Sequence, residues 1–113
     1  TVDGNNSGSL GIRVGGNSYA TIENCTVRNN TDDGIAVYSS SSSYIKDTIS
    51  QNNGENGFEV SGSSNAYLWS GNNSINNRNN GIALYHNSSV SMAGDNTFSN
   101  NSYFTKYILE IKA

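Results

Sequence analysis

The tetrapeptide GIAV at residues 34–37 recurs in closely related form at three other places in the chain. The copies are GIRV at 11–14, GFEV at 57–60 and GIAL at 81–84, so their glycines are 23, 23 and 24 residues apart. A fixed period in this range is typical of solenoids, in which each repeat forms one coil stacked on the next. The repeat therefore predicts a solenoid before any secondary structure is assigned.

Three columns of large apolar residues keep a fixed distance from the repeated glycine in all four coils. They stand one, three and eleven residues after it, and polar residues alternate with the first two columns, which indicates β-strands. The columns are Ile12, Ile35, Phe58 and Ile82; Val14, Val37, Val60 and Leu84; and Ile22, Ile45, Leu68 and Met92. Because like positions of stacked coils lie about 4.8 Å apart, these side chains form the predicted core.

The same register divides the chain, which we expect to be a single domain over residues 1–113. The predicted coils are residues 11–33, 34–56, 57–80 and 81–102. Residues 1–10 match the end of a coil, so more solenoid is expected to precede them in the parent protein. Residues 103–113 break the pattern and are predicted to form a terminal strand or a cap.

Antiparallel hairpins are the rival interpretation of the repeats. The dipeptides Asp33-Gly34, Asn56-Gly57 and Asn80-Gly81 favour two-residue hairpin turns. Hairpins, however, do not require apolar columns to recur at one interval along the whole chain, whereas stacked parallel coils do. We therefore favour the solenoid.

Asparagines fill the turn that ends each coil, where their side chains bond to nearby backbone groups and tolerate left-handed dihedral angles. One asparagine stands eighteen or nineteen residues after each repeated glycine: Asn29, Asn52, Asn76 and Asn100. We expect these side chains to stack as an internal amide ladder, each carboxamide pairing with the next. Such a ladder would satisfy polar groups that a thin core cannot exclude.

Composition excludes several functional classes. Asparagine and serine are abundant, at 20 and 19 residues, but net charge is only −3 and proline is absent, which argues against disorder. The chain has no basic stripe for nucleic acid and no apolar run long enough to span a membrane as a helix. Cys25 is the only cysteine, so no internal disulfide is possible.

Candidate binding residues lie on the outward positions near the repeated glycines. They are Arg13, Tyr38, Glu59, Tyr85 and His86. Tyr38 and Tyr85 stand four residues after their glycines, and an outward tyrosine ring suits contact with a sugar because it is apolar with a polar edge. The neighbours Tyr85 and His86 are able to transfer a proton in principle, although a lone surface histidine is usually only solvated.

Carboxylates give a weaker signal. Glycosidic hydrolysis uses two carboxylates facing one bond, and no column of strand residues in this chain stacks two acids. The nearest approach is Asp32 and Asp33, followed one coil later by Glu55 and Asn56. A solvated turn is the simpler interpretation; a calcium site at Asp32 and Asp33, or a catalytic pair, is the alternative.

The repeat units resemble the right-handed parallel β-helix repeats of the pectin-lyase-like superfamily. The units are GIRVGGNSYATIENCTVRNN, GIAVYSSSSSYIKDTISQNN, GFEVSGSSNAYLWSGNNSINN and GIALYHNSSVSMAGDNTFSNN. The resemblance implies an all-β, right-handed parallel β-helix of about four to five coils with about 23 residues per coil. It implies little about activity, because the superfamily includes polysaccharide lyases, hydrolases, uronate epimerases, phage tailspikes and surface adhesins.

We therefore expect a structural or adhesive segment of a surface-exposed or phage tail-fibre-like protein that contacts glycans. The alternative is a fragment of a polysaccharide lyase or uronate epimerase that acts on acidic polysaccharide; the sequence favours a non-enzymatic role. No cofactor is expected, with calcium left open. The expected partners are a polysaccharide or surface glycan and further copies of the chain, stacked end to end. The expected location is extracellular, at a cell surface or on a virion.

Overall fold

The computed structural model describes residues 1–102 and 108–109, and every regular element in these residues is a β-strand. The strands form three parallel sheets. The glycine sheet, whose strands follow the repeated glycine, contains β2 (Ile12–Val14), β5 (Ile35–Val37), β8 (Phe58–Val60), β11 (Ile82–Leu84) and β14 (Ile108–Leu109). The tyrosine sheet contains β3 (Tyr19–Glu23), β6 (Ser42–Lys46), β9 (Asn65–Leu68) and β12 (Ser89–Met92). The asparagine sheet contains β1 (Val2–Asp3), β4 (Thr26–Arg28), β7 (Ile49–Gln51), β10 (Asn73–Ile75) and β13 (Thr97–Ser99).

Each strand pairs in parallel with the equivalent strand of the next coil, as the period predicts. Ile12 pairs with Ile35, Ile35 with Phe58, and Phe58 with Ile82. The column that contains Ile22 and Met92 is likewise in register through β3, β6, β9 and β12. The prediction of an all-β parallel solenoid is thus confirmed, and the glycine dipeptides do not form antiparallel hairpins.

The core is the predicted one, except at its two ends. Ten of the twelve predicted core residues are buried, whereas Ile12 is half-buried and Met92 is 37% exposed. Ile12 lies in β2 and Met92 in β12, which are the outermost described strands of their sheets at opposite ends of the stack. A neighbouring coil therefore covers each side chain on one side only. The asparagine sheet closes the third wall with Val27, which is fully buried.

The repeated glycine is required by close packing. A Cβ atom on Gly34 would overlap the Oγ atom of Ser50, and one on Gly57 would overlap the Oγ atom of Ser74. These serine hydroxyls point inward and donate hydrogen bonds of 2.7 Å to the carbonyl oxygens of Gly57 and Gly81. Glycine therefore marks the corner where the asparagine sheet approaches the glycine sheet most closely.

An internal amide ladder exists, but the residues predicted to form it were wrong by one position. Asn29, Asn52, Asn76 and Asn100 adopt positive φ angles of 55–57° and remain half-buried or exposed. The next residue in each coil forms the ladder: Asn30, Asn53, Asn77 and Asn101, all buried, with Nδ2 to Oδ1 distances of 2.9–3.0 Å. The left-handed residue turns the chain, so the following side chain points inward.

A second buried ladder stands directly before the repeated glycine and consists of Asp33, Asn56 and Asn80. Asn56 Nδ2 lies 2.9 Å from Asp33 Oδ1, and Asn80 Nδ2 lies 2.9 Å from Asn56 Oδ1. A carboxylic acid therefore occupies a position that the two following coils fill with an amide. This exchange creates the only buried acidic group among the described residues.

The two ends of the chain join the same sheets. Val2 and Asp3 in β1 pair with β4, and β14 pairs with β11 through Ala83–Ile108 and Leu84–Leu109. The remainder of the predicted terminal strand or cap, residues 103–107 and 110–113, lies outside the described residues. The described part of the chain contains no helix long and apolar enough to cross a membrane.

Candidate functional site

The outward face of the glycine sheet brings the sequence-predicted binding residues together in two pairs. The Arg13 guanidinium lies 5.4 Å from the centre of the Tyr38 ring, a cation–π distance. The same ring covers Gly15, where a Cβ atom would stand 2.6 Å from Tyr38 Cζ. Tyr38 is thus held between Arg13 and the backbone of the preceding coil.

The second pair is Tyr85 and His86, whose ring centres are 6.2 Å apart with planes inclined by 45°. His86 is exposed and adopts a positive φ of 54°, which places it on the turn after β11. Ser61 occupies the position between Tyr38 and Tyr85 in the intervening coil. The glycine sheet therefore presents two separate aromatic contacts, and their predicted role in glycan binding stays a prediction.

Glu59 and Asp33 form an acidic pair that the column analysis missed. Asp33 Oδ1 accepts hydrogen bonds from the backbone N–H and the Nδ2 group of Asn56, at 3.0 and 2.9 Å. Glu59 accepts a 3.2 Å hydrogen bond from Ser61 Oγ. Burial, followed by the charge of Glu59, raises the pKa of Asp33 to about 7. The two acids stand in different columns, so a search for acids stacked in one column does not find them.

The acidic turn around Asp32 has a different character. Asp32 and Glu55 stand in one column of adjacent coils, and the Glu55 N–H donates a 2.9 Å hydrogen bond to the Asp32 carbonyl oxygen, so these two acids do stack at the turn. Asp32 is half-buried, and Glu55 is exposed, with its pKa raised by partial burial and by the charges of Asp33 and Asp32. Within the described residues, no group of three or more histidine, cysteine, aspartate or glutamate side chains is arranged to hold a metal ion. The expectation of calcium at Asp32 and Asp33 stays a prediction.

The outward face of the tyrosine sheet carries a set of aromatic residues that the sequence analysis did not select. The aromatic strip, as we name it, consists of Tyr19, Tyr44 and Tyr67 on the strands, together with Trp69, which directly follows β9. Tyr44 and Tyr67 pair across β6 and β9, with ring centres 5.7 Å apart and planes at 78°. Tyr67 and Trp69 form a second edge-to-face pair at 5.6 Å and 84°.

These rings lie at the surface although they pack against one another. Tyr19 is 69% exposed, Tyr67 36% and Trp69 40%. The sequence did contain a signal, because Tyr44 and Tyr67 each stand ten residues after their coil glycine, between inward columns nine and eleven residues after it. In a strand, the position between two inward residues points outward.

A groove of about 660 Å³ runs along the three tyrosines of the aromatic strip, and Trp69 packs against Tyr67 beside it. Its walls include Tyr19, Tyr44 and Tyr67, together with a polar column formed by Ser42, Asn65 and Ser89. Ser42, Asn65 and Ser89 are in register through β6, β9 and β12, and Ser89 Oγ donates a hydrogen bond to Asn65 Oδ1. The groove thus combines flat apolar rings with hydroxyl and amide groups.

A second groove, of about 530 Å³, follows the asparagine turns and is lined mainly by asparagine residues. Its walls include the exposed Asn52, Asn76 and Asn100 together with Arg78. Its lining contains no aromatic ring, so it lacks the flat apolar faces that the first groove offers to a ligand.

The architecture and these surfaces define a parallel β-solenoid whose tyrosine sheet carries an outward cluster of aromatic rings. Residues 2–109 match the family described as a right handed beta helix region, and the chain belongs to that family. The pectin-lyase-like resemblance is consistent with this membership. Neither a curated protein nor a solved structure gives a significant match to the chain.

Proposed function

We propose that this β-helix is a structural module that binds glycans through the aromatic strip of the tyrosine sheet. The single observation that supports the proposal is the cluster of Tyr44, Tyr67 and Trp69, partly exposed on a rigid parallel sheet beside a column of hydroxyl and amide groups. Aromatic rings present a flat apolar face, and their polar edges remain hydrated. A pyranose ring has the complementary surface, with an apolar face bordered by hydroxyl groups.

The rigidity of the scaffold supports binding. Tyr44 and Tyr67 stand on adjacent strands whose backbones are fixed by parallel pairing, and each ring is held by an edge-to-face contact. Little side-chain entropy is then lost when a ligand covers the rings, which is the main advantage of a preorganised site. This role fits a protein at a cell surface or on a virion, the extracellular location that the proposal includes.

The test is binding of the 113-residue chain to a panel of immobilised glycans. Removing Trp69 by Trp69→Ala is expected to weaken binding about tenfold, which corresponds to about 1.4 kcal/mol, a typical aromatic contribution. The comparison variant is the double substitution Tyr85→Phe, His86→Ala on the glycine sheet. Loss of binding in the double variant with full binding in Trp69→Ala would instead assign the ligand to the face that the sequence predicted.

A second candidate, a carbohydrate-active enzyme of the lyase or epimerase kind, is favoured by the Asp33–Glu59 pair. A carboxyl group with a pKa near neutrality beside another carboxylate is an arrangement used for general acid–base catalysis. Asp33 is only 6% exposed, however, and neither groove described above includes it or Glu59. The enzyme is therefore the second choice.

The enzyme candidate is tested by incubating the chain with uronate polymers, with and without calcium, and measuring new unsaturated or reducing ends. Turnover that disappears in Glu59→Gln and persists in Asp95→Asn, an exposed acid far along the chain, would reverse the order of the two candidates. We expect no turnover in the wild type or in either variant.

A further inference from the structure

The groove along the aromatic strip has uncharged walls. Every residue that lines it is aromatic, aliphatic, a serine, an asparagine or a methionine. We infer that its ligand is a neutral glycan whose chain lies parallel to the solenoid axis. This inference rests on the proposed function and narrows it to neutral ligands, whereas the alternative lyase or epimerase would act on an acidic polysaccharide.

The charges that border the groove would repel an acidic chain or fail to pair with it. Next to the strip, Glu23 and Lys46 are cross-strand partners in β3 and β6. Lys46 Nζ lies 3.9 Å from Asp47 Oδ2, so this cation already has a carboxylate within ion-pair distance. A uronate that entered the groove would lose hydration without gaining a cation from its walls, which is unfavourable. The net charge of −3 adds a weak repulsion at longer range.

The polar column matches the hydroxyl groups of a neutral sugar. Ser42 and Ser89 carry hydroxyls that both donate and accept hydrogen bonds, and the Asn65 carboxamide also does both. Sugar hydroxyls have the same dual capacity, whereas a carboxylate only accepts. The column therefore suits ligands whose groups can both donate and accept hydrogen bonds.

The direction of the ligand follows from the stacking of the coils. Tyr44 and Tyr67 lie one above the other on adjacent strands, and the polar column runs beside them in the same direction. Adjacent strands are about 4.8 Å apart, close to the length that one pyranose unit adds to an extended chain. A glycan parallel to the axis thus meets one ring or polar group per coil, and the volume of about 660 Å³ lies within the range of ligand sites.

The experiment uses Trp69, the only tryptophan of the chain, as an internal reporter. Its emission is titrated at low ionic strength with neutral oligosaccharides of two to six units, among them galacto-, manno-, gluco- and xylo-oligosaccharides, and with oligogalacturonates of equal lengths. We expect at least one neutral series to give saturable changes, with affinity rising until the ligand spans the four strands of the sheet. Oligogalacturonates are expected to bind at least tenfold more weakly.

Matched variants locate the contacts. Asn65→Ala is expected to lower the affinity for the neutral ligand about fivefold or more, whereas Asn52→Ala, in the other groove, should leave it within twofold. Equal or tighter binding of oligogalacturonate would overturn the neutral ligand while leaving glycan binding intact. An affinity independent of ligand length would overturn the axial direction. No response to any glycan, neutral or acidic, would overturn the proposed function itself.

Discussion

Replacing Asp33 with asparagine is expected to stabilise the protein at neutral and alkaline pH. Asp33 is the first rung of a buried ladder whose next rungs, Asn56 and Asn80, are amides. An asparagine at position 33 keeps the Oδ1 acceptor that the backbone N–H and Nδ2 group of Asn56 require. Its amide group replaces the second carboxyl oxygen, which removes the repulsion from Glu59 and supplies a donor to it.

The magnitude follows from the raised pKa of Asp33. The pKa of its carboxyl rises from 3.8 to about 7, a change of about three units, and each unit corresponds to about 1.36 kcal/mol. Because the unfolded chain ionises Asp33 at lower pH than the folded protein does, the contribution of this group to stability is complete below pH 3.8. It is lost as the pH rises to about 7, and the total loss is about 4 kcal/mol.

The assay is urea unfolding followed by Trp69 emission from pH 4 to pH 8. The free energy of unfolding of the wild type should fall over this interval, whereas that of Asp33→Asn should fall much less. The variant is expected to be more stable than the wild type by up to about 4 kcal/mol at pH 8 and similar to it at pH 4. Asp95→Asn removes an exposed carboxylate and serves as the control for net charge.

Two results would refute this reasoning. If Asp33→Asn and the wild type lose stability in parallel between pH 4 and pH 7, Asp33 is not the group that titrates. If Asp33→Asn is less stable than the wild type at pH 8 while Asp95→Asn is unchanged, the ladder requires an acid at this rung for another reason.

Three other predictions follow from the packing of the coils. Gly57→Ala should lower the free energy of unfolding by roughly 2–3 kcal/mol in urea titrations, because its Cβ overlaps Ser74 Oγ most closely; a smaller loss when Gly57→Ala is made in a Ser74→Ala background would confirm the contact. Asn77→Ala should lower the free energy of unfolding by roughly 2–4 kcal/mol, because it leaves the buried backbone N–H and Nδ2 donors of Asn53 unpaired. Asn76→Ala should lower it by only about 1 kcal/mol, and equal losses would contradict the assignment of Asn77 to the ladder. Among the described residues, β3 and β12 each pair with a strand on one side only, which predicts end-to-end association; light scattering should show a mass that rises with concentration, and a monomer at every concentration would exclude it.

The outcome at the asparagine turns shows how far local reasoning extends. The sequence correctly indicated an amide ladder, because asparagines recur at one interval in every coil. It selected Asn76, whereas Asn77 forms the rung, since φ of 56° at Asn76 turns the next side chain inward. Which of two neighbouring asparagines points inward depends on a backbone dihedral angle, and the repeat pattern does not specify that angle.

The period alone determined the fold of this protein: the parallel coils, the register of the strands and most of the core. This was possible because stacking places residues one repeat apart in direct contact, so a distance along the chain becomes a contact in space. Only the tertiary structure decided the contacts between different columns, such as Asp33 with Glu59 and Tyr67 with Trp69. Those contacts depend on how the turns orient the sheets and on which rotamers the side chains adopt, and the repeat specifies neither.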